Sequence, residues 1–453
     1  MAFPTSVPIK VLDASNPDFN GDLLGKYWAL YVGGDTFRER LDEFIIKREI
    51  ERRGTSIGIR SYDERKKFAS YMNRLGGFVD GSVAQIMKDG VRLEVTGGTP
   101  DQDAYWHGLN LNCDGRGNSF AAVVRDLLID ELVSRYAWAN VRADKEDPEH
   151  MYISRVNPMK VIDWMQDGDT GALTYTKARR QLEYRKSQYE PTKLMRVQWI
   201  LFDDKELGIY EALFNGRVYV DEAGQPIDKA MLVSSEVSEY GLQMYSVVGK
   251  RAQWVVDRVS DTVVLLFNKE LDLSFALAEA AYPQLVLTVE ERGNVEGIIK
   301  SELNMAVLET GDKLEYLRIE PGTFSPLQDN IESLKQAIHE TIQTMGRDTA
   351  SIPQAGRMSG ETVREMRSPL DALIASFAWP VYETLTKIVD DIKKFRGEEE
   401  LVVDIVGLVE QNVSSESNID ELDGGDDNGR RSEDGAGRSA EAQAATEVEE
   451  GRG

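Results

Sequence analysis

Few side chains in this sequence have the type and spacing that chemistry at a site requires. The three histidines, His107, His150 and His339, lie far apart in the chain. A histidine-based metal site or catalytic triad needs such residues at ligand spacing or beside a nucleophile. Gly249-Lys250 lacks both the earlier glycine and the following hydroxyl of a phosphate-binding loop. We therefore predict no catalytic residue, no metal and no cofactor.

Three pairs of acidic residues are the remaining candidates for hydrolytic chemistry: Asp101 with Asp103, Asp203-Asp204 and Asp390-Asp391. Paired carboxylates can hold divalent ions that activate water, as in metal-dependent nucleases. The chain contains 78 Asp or Glu, so pairs of this kind are also expected by chance. A metal-dependent nuclease is kept as an alternative hypothesis.

A glycine-rich turn, CDGRGNS, runs from Cys113 to Ser119 and opens a helix. Free backbone N–H groups in such a turn can bind an anion. The simpler interpretation is a capped turn, with Asn118 or Ser119 as the N-cap of the helix.

The composition predicts a folded protein. A length of 453 residues allows two to four domains, and 41% hydrophobic residues suit a globular chain. The net charge of −25 disfavours proteins that bind nucleic acid through a basic face. A single cysteine excludes an internal disulfide and favours synthesis in a reducing cytoplasm. The sequence contains neither a signal peptide nor an apolar run that could span a membrane.

The pattern of apolar residues predicts helices at both ends and strands between them. Amphipathic helices are predicted over 36–53 and 63–75, and a third with an apolar line at Val123, Leu127, Leu128, Leu132 and Tyr136. Alternating residues between 151 and 230 predict antiparallel strands.

Long helices are predicted in the last third of the chain. One or two run from about Gln253 to Pro283, and a strand at QLVLTV follows. Ser325, Pro326 and Gln328 are typical of a helix start. A further helix ends near Lys394 and contains Pro369 and Pro380, so it should start twice or kink. The last 39 residues carry 12 acidic side chains against 4 arginines and no aromatic residue, which predicts disorder.

The stretch GDKLEYLRIEPGTFSPLQDNIESLKQAIHETIQTMGRDTASIPQAGRMSGETVREMRSPLDALIASFAWPVYETLTKIVDDIKKF resembles the portal protein of tailed double-stranded DNA bacteriophages of the siphovirus-like type. The resemblance extends back through LFNKELDLSFALAEAAYPQLVLT and, more faintly, through GNSFAAVVRDLLIDELVSRYAWANVRAD. The resemblance covers most of residues 20–400. It consists of a similar order of elements and a similar sequence pattern, and it includes no catalytic signature.

The resemblance implies an α+β, mainly helical fold with wing, stem and clip parts. The implied parts are an N-terminal arm (1–20), a mixed α/β wing (21–260), a first stem helix (261–283), a clip (284–323), a second stem helix (324–349), a tunnel loop (350–362), a long kinked helix (363–396), a reduced crown or connecting segment (397–414) and the disordered acidic tail (415–453).

The resemblance also implies a function that is mechanical and not enzymatic. About twelve copies would form a ring at one capsid vertex, through which DNA is packaged, retained and ejected. The implied partners are further copies of the chain, the major capsid protein and scaffold, the terminase large subunit, a head–tail connector or adaptor, and double-stranded DNA passing without sequence specificity. The implied location is the virion, after synthesis in the host cytoplasm.

Specific residues follow from the same resemblance. The residues expected to face DNA in the tunnel loop and on the second stem helix are Gln354, Arg357, Met358, Ser359, Lys335 and Arg347. The clip residues expected to contact the terminase or connector are Arg292, Lys300, Lys313 and Arg318.

A third hypothesis stands beside the portal and the nuclease. In it, the chain is a monomeric acidic scaffold that binds basic partners through its C-terminal tail. The three differ in what purified protein should show, namely rings, cleaved plasmid or a monomer of 50.8 kDa.

Overall fold

Helices form the first part of the chain, strands the middle and long helices the last part. The structure is a computed structural model that describes residues 3–143, 150–167, 173–185, 194–203, 206–237, 244–249, 254–281, 284–288, 313–317, 321–350 and 369–408. These residues all belong to one compact unit, Met1–Glu410. Within them the fold is mixed α and β with more helix than strand, as the sequence predicts. None of the described helices is long and apolar enough to span a membrane.

Twelve α-helices are found among the described residues. They are α1 Ile9–Leu12, α2 Gly21–Val32, α3 Gly34–Glu39, α4 Leu41–Phe44, α5 Glu49–Arg52, α6 Ser56–Lys67, α7 Arg74–Ile86, α8 Pro100–Leu111, α9 Phe120–Ser134, α10 Val255–Ala281, α11 Ser325–Ala350 and α12 Pro369–Arg396.

Fourteen β-strands are found in the same part of the chain. They are β1 Ser6–Pro8, β2 Arg92–Thr96, β3 Tyr136–Ala143, β4 Met151–Val156, β5 Val161–Gln166, β6 Leu173–Tyr184, β7 Leu194–Asp203, β8 Glu206–Phe214, β9 Tyr219–Val220, β10 Lys229–Val237, β11 Met244–Val248, β12 Gln284–Thr288, β13 Lys313–Leu317 and β14 Val402–Val406.

The strand-rich middle forms a seven-stranded sheet in the order β1, β10, β8, β7, β6, β5, with β9 paired to β8. Every pairing is antiparallel, which confirms the prediction from alternating residues. One face packs on α1 through Trp199, Tyr210 and Leu12, all buried. Smaller sheets are β11-β3-β4, β12-β13 and β14-β2.

Helix α9 lies at the centre of the main core. Ser119 accepts a hydrogen bond from the Ala122 N–H at 3.2 Å, so Ser119 is the N-cap. Its buried apolar line includes Val123, Leu127, Leu128 and Leu132, as predicted. Tyr136, predicted on the same line, instead begins strand β3, because Arg135 adopts a left-handed conformation (φ 66°) that ends the helix.

The two predicted N-terminal helices are each interrupted. The segment 36–53 divides into α3, α4 and α5. At the end of α4, the Asn268 side chain accepts from the Ile46 N–H and donates to the Phe44 carbonyl, both at 2.8 Å. These bonds prevent the backbone after Phe44 from continuing helix α4. Within the segment 63–75, helix α6 ends at Lys67 and helix α7 begins at Arg74. The N-cap of α7 is Asn73.

The segment 397–414, predicted as a reduced crown or a connection, is described to residue 408. Strand β14 pairs antiparallel with β2, with Asp404 opposite Glu94. Leu401, Ile405 and Leu408 are buried in the main core. This stretch therefore belongs to the main body of the chain.

Candidate functional site: the long helices and their hairpin

Two long helices are joined through a β-hairpin. Helix α10 leads into β12, and β13 leads towards α11. Gln284, the first residue of β12, pairs with Leu317, the last of β13, so the chain leaves α10 and returns to α11 side by side. The 27 residues of α10 and 26 of α11 give each helix a length of about 40 Å. They pack on each other and, because of the hairpin, run in opposite directions.

The first half of α10 is embedded in the main core. Its buried residues are Val255, Val256, Val259, Val263, Phe267 and Leu271. Phe267 also contacts the ring of Phe37 edge to face, at 5.1 Å between centroids. At roughly 1.5–3 kcal/mol for each fully buried large apolar side chain, this face fixes the helix firmly to the body.

A buried polar network also holds α10. The Arg65 guanidinium bonds Glu51 at 2.7 Å and Asp272 of α10 at 3.2 Å. Arg48 reaches the same Asp272 oxygen at 2.8 Å. Arg65 and Glu51 are shielded from solvent, so each needs the other to offset the cost of its burial. The position of α10 is therefore fixed by polar groups as well as by packing.

Two further polar contacts lie along α10. The Tyr27 hydroxyl donates to Asp257 at 2.6 Å, and Arg74 pairs with Glu270 at 3.0 Å. Burial, together with the hydrogen bond to the Asp257 carboxylate, raises the pKa of Tyr27 far above its usual value. The tyrosine is thus a neutral donor at every physiological pH.

Helix α11 bridges α10 and α12. Its residues Ile331 and Ile342 are buried, while Leu327, Leu334 and Ile338 are half-buried. Three of its charged residues with described side chains, Asp329, Glu332 and Glu340, lie exposed. The helix therefore has an apolar face towards its neighbours and a mainly acidic face towards solvent.

Helix α12 returns to the main body. Its buried residues are Phe377, Ala378, Val381, Leu385, Ile388, Val389 and Ile392. The Tyr245 hydroxyl donates to Asp391 at 3.0 Å and ties the helix to strand β11. Pro369 is the first residue of α12, and Pro380 lies inside it and removes one backbone donor. Residues 351–368, where a first start was predicted, lie outside the described residues.

The predicted DNA-facing residues are only partly described. Lys335 lies half-buried on α11 and pairs with Glu332. Arg347 is placed on the same helix, without a described side chain. Gln354, Arg357, Met358 and Ser359 lie outside the described residues.

The predicted clip residues are also only partly described. Lys313 begins β13 and pairs through its backbone with Thr288, without a described side chain. Arg292, Lys300 and Arg318 lie outside the described residues, as does the acidic tail from Ser415 onwards.

The acidic pairs do not converge on a common point. Asp390 and Asp391 pair with Lys393 and Lys394 respectively, at 3.8 and 3.3 Å. Asp203 accepts from the Glu206 N–H at 2.6 Å, while Asp204 lies outside the described residues. Asp101 and Asp103 lie exposed in the first turn of α8. In the described ranges no three His, Cys, Asp or Glu side chains come together as metal ligands.

Backbone N–H groups of the glycine-rich turn donate hydrogen bonds to the side chains of Asp114 and Asn112. Asp114 accepts from the backbone N–H groups of Arg116 and Asn118, at 2.8 and 3.1 Å, and from the Asn118 amide at 2.7 Å. The Gly117 N–H donates to Asn112. The N–H groups that an anion would need are therefore already used, and the structure supports the capped turn.

Neither the histidines nor the cysteine form a reactive pair in the described part of the chain. His150 lies between the rings of Tyr105 and Tyr152, at 5.2 and 4.8 Å between centroids. Cys113 is fully buried, and burial raises the pKa of its thiol to about 12. A thiol that stays protonated is inert as a nucleophile.

A cavity of about 220 Å³ lies between residues 17–24 and the start of α10. Its walls include the aromatic residues Phe19, Tyr136, Trp138, Trp164 and Trp254, with Arg135, Asp18 and Asp257 as charged groups. Neither a histidine nor a cysteine is among its lining residues, so it lacks a paired nucleophile and base of that type.

The residues that position α10 were not found from the sequence. Asn268 follows Phe267 and Asp272 follows Leu271, so both polar residues adjoin the buried apolar side of α10, and that position is the signal that could have identified them. Their partners Phe44, Ile46 and Arg65 lie about 200 residues earlier, so spacing along the chain carries no information about the contact.

Comparison with known proteins gives little beyond this geometry. No protein-family model matches the chain. No curated protein matches it either. Among solved structures, it is similar to a chain of the "Virion of native gene transfer agent (GTA) particle", at 10% identity and a TM-score of 0.36, over 73% of this chain and 80% of that one. A chain of the "Neck of empty GTA particle computed with C6 symmetry" gives the same identity and TM-score over 74% and 80%. Similarity this low does not establish a shared fold.

Proposed function

We propose that this chain is a portal subunit of a phage-like particle, a structural protein that forms a ring for DNA to pass through. The supporting observation is the order α10, β12–β13 hairpin, α11, α12, in which two packed helices of about 40 Å carry a hairpin at one end. The resemblance in sequence covers the same stretch. In this proposal α10 and α11 are the stem helices, and the hairpin is part of the clip.

The anchoring of α10 suits a mechanical role. Helix α10 is fixed by buried apolar residues and by the Arg65–Asp272 pair, and α12 is fixed by buried residues such as Phe377, Val381 and Leu385. Force applied at the hairpin would thus be carried into the main body by α10 directly and by α12 through its contact with α11. A hinged arm would require a weakly packed base, which α10 does not have.

The acidity of the chain fits the same proposal. DNA must slide through a portal, so its wall should not hold phosphates tightly. The exposed face of α11 carries Asp329, Glu332 and Glu340, and Lys335 on that helix is paired with Glu332. Repulsion of this kind acts over only about 8 Å at physiological salt, so it is felt by DNA close to the wall.

The proposal is tested by the size of the purified protein. Native mass spectrometry and negative-stain imaging should show closed rings of about twelve copies, roughly 610 kDa from a chain of 50.8 kDa. Closed rings of a neighbouring copy number would fit equally well. A monomer at micromolar concentration that also fails to assemble with capsid and scaffold proteins would refute the proposal and favour the monomeric scaffold.

A further inference from the structure

Residues 46–67 are basic, although the chain as a whole is acidic. Residues 46–67 contain eight Lys or Arg and four Asp or Glu, a net charge of +4 in a chain of −25. They form α5, α6 and the turns around them. The exposed basic residues of this stretch define what we call the basic surface: Lys47, Arg52, Arg53, Arg60 and Lys67.

Large apolar side chains are exposed among these charges. Ile57 and Ile59 are 70% and 53% exposed, and Ile46, Ile50 and Phe68 are also exposed. Single exposed apolar residues are common, but several within one short stretch are typical of a surface that another protein covers. Nucleic acid would use the positive charges and would leave the isoleucines in water.

The charges of the basic surface are available to a partner. Arg53 pairs with Glu49 and Arg60 with Glu64, at 2.6 and 3.0 Å, in largely exposed helix pairs. Exposed pairs of this type contribute only about 0.3–0.5 kcal/mol, so a partner's carboxylates can replace them at little cost. Among described residues, Arg52 donates only to the Lys47 carbonyl.

A second surface of the chain has the opposite charge. Its exposed acidic residues lie on β2, at the start of α8 and around β14, and we call them the acidic surface: Glu94, Asp101, Asp103, Glu399, Glu400 and Asp404. The Asp103 side chain and Leu401 both lie beside Gly98, which brings the start of α8 next to β14. No ion pair between described residues joins this surface to the basic one.

The acidic surface contains an unfavourable pair. Asp404 and Glu94 lie directly opposite each other across β14 and β2, an arrangement of like charges that destabilises a sheet. Arg92 pairs with Glu94, while Asp404 has no ion pair among the described residues. Val402, on the same face as Asp404, is 50% exposed. A basic and apolar partner would relieve the repulsion and cover the valine.

We propose that the basic surface of one copy of this chain docks on the acidic surface of the next copy. The two surfaces are opposite in charge, with exposed isoleucines beside the basic one and the exposed Val402 beside the acidic one. Because they are different patches of one chain, the contact is head to tail, the type that builds rings. The inference rests on the proposed portal function and names the contact that closes its ring.

Charge complementarity favours this contact over other relative orientations of two copies. Two chains of net charge −25 repel each other, and contact between two acidic faces adds to that repulsion. The stretch 46–67 is basic and its charges are exposed, so it attracts the acidic surface of a second copy. Assembly should therefore weaken as salt screens the attraction.

A charge-reversal series on the full-length chain tests the contact. R52E/R60E should weaken assembly by about tenfold or more in protein concentration, measured by mass photometry. Adding E400K/D404K to the same chain should restore rings, because the reversed surfaces match again. R52E/R60E alone assembling as the wild type does would overturn the contact.

The matched control changes the same net charge elsewhere. Lys10 and Lys229 are exposed basic residues outside both surfaces. K10E/K229E should assemble as the wild type does, and an equal loss of assembly in this control would show a general charge effect and overturn the proposal. If R52E/R60E forms normal rings that retain less DNA, the basic surface contacts DNA, and the proposal is again overturned.

Cross-linking tests the head-to-tail geometry. The chain's one cysteine, Cys113, is buried, so new surface thiols can be addressed alone. R53C and E400C proteins, mixed and treated with a short bismaleimide, should give cross-linked dimers, while each protein alone gives none. Dimers from R53C alone would show a symmetric contact and overturn the proposal.

The two proposals fail in different ways. Closed rings in which R53C and E400C do not cross-link would refute the contact and leave the portal function standing. Cross-linked open chains that never close would support the contact and refute the ring. A protein that stays monomeric would refute both.

Discussion

Arg65 donates two hydrogen bonds to the carboxylate of Glu51, at 2.7 and 3.1 Å, and neither side chain is reached by solvent. The same guanidinium contacts Asp272 on α10. One buried arginine thus joins α5, α6 and the first of the long helices. Because an isolated buried charge is costly, each member of this group depends on the others.

Replacing Arg65 by methionine should destabilise the protein strongly. R65M keeps most of the side-chain volume but leaves the Glu51 carboxylate buried without a cation, which costs about 3–5 kcal/mol. Urea unfolding at neutral pH, followed by tryptophan fluorescence, measures the loss.

The control is R60M, which removes an exposed arginine paired with Glu64 on the same helix. We expect a change below about 1 kcal/mol there. Equal losses in R65M and R60M would show that burial of the Arg65–Glu51 pair does not matter.

Asp114 should make stability sensitive to acid. Burial alone would raise its pKa, but hydrogen bonds from the Asn118 side chain and from the backbone of Arg116 and Asn118 outweigh burial and lower the pKa. Because the pKa of Asp114 is lower in the folded than in the unfolded chain, its carboxylate stabilises the protein at pH values above the unfolded-chain pKa of about 3.9. This stability is lost as pH falls through the folded-state pKa.

The variants D114A and D114N separate the two contributions of Asp114. D114A loses all three acceptor contacts and should cost about 1–3 kcal/mol at neutral pH. D114N keeps an acceptor oxygen, so its loss should be smaller and should not grow in acid. Thermal unfolding at neutral pH and below pH 4 tests this, and a D114N protein as acid-sensitive as the wild type would contradict it.

Local sequence signals predicted the elements that depend on local chemistry. Ser119 caps α9, and helix α11 begins at Ser325, where a proline follows. The strands of the middle region follow from side-chain alternation. In each case the signal lies within a few residues of the element that it specifies.

Contacts between residues far apart in the chain could not be predicted from the sequence. Asn268 interrupts the predicted helix over 36–53 from 222 residues away, and β14 pairs with β2 across about 300 residues. Arg135 ends α9 early through a conformation that non-glycine residues rarely adopt. The candidate site shows the same limit, because the element order was predicted and the anchors of α10 were not.

Glu131 should lower stability as pH rises. The side chain is buried in α9, its Oε2 has no described hydrogen-bond partner, and burial raises its pKa well above the usual value. The unfolded chain loses this proton near pH 4.3, while the folded chain keeps it longer. Folding therefore costs more as pH rises above that value, up to the raised pKa.

Substituting glutamine tests this effect. E131Q cannot ionise, so its stability should fall less than that of the wild type between pH 5 and pH 8, with a gain of about 1 kcal/mol or more at pH 8. Urea unfolding at several pH values measures both slopes. The exposed control E222Q should follow the wild type, and a wild-type slope in E131Q would show that Glu131 is not the group responsible.

Purified protein should leave DNA intact in the presence of metal ions. The nuclease alternative needs two or three carboxylates around one ion, and Asp390 and Asp391 instead pair separately with lysines on their own helix. Supercoiled plasmid incubated with the protein and Mg²⁺ or Mn²⁺ should stay supercoiled, as judged on an agarose gel. Cleavage that disappears in D203N/D204N would revive the enzyme hypothesis, because contaminating nucleases would be unaffected by those substitutions.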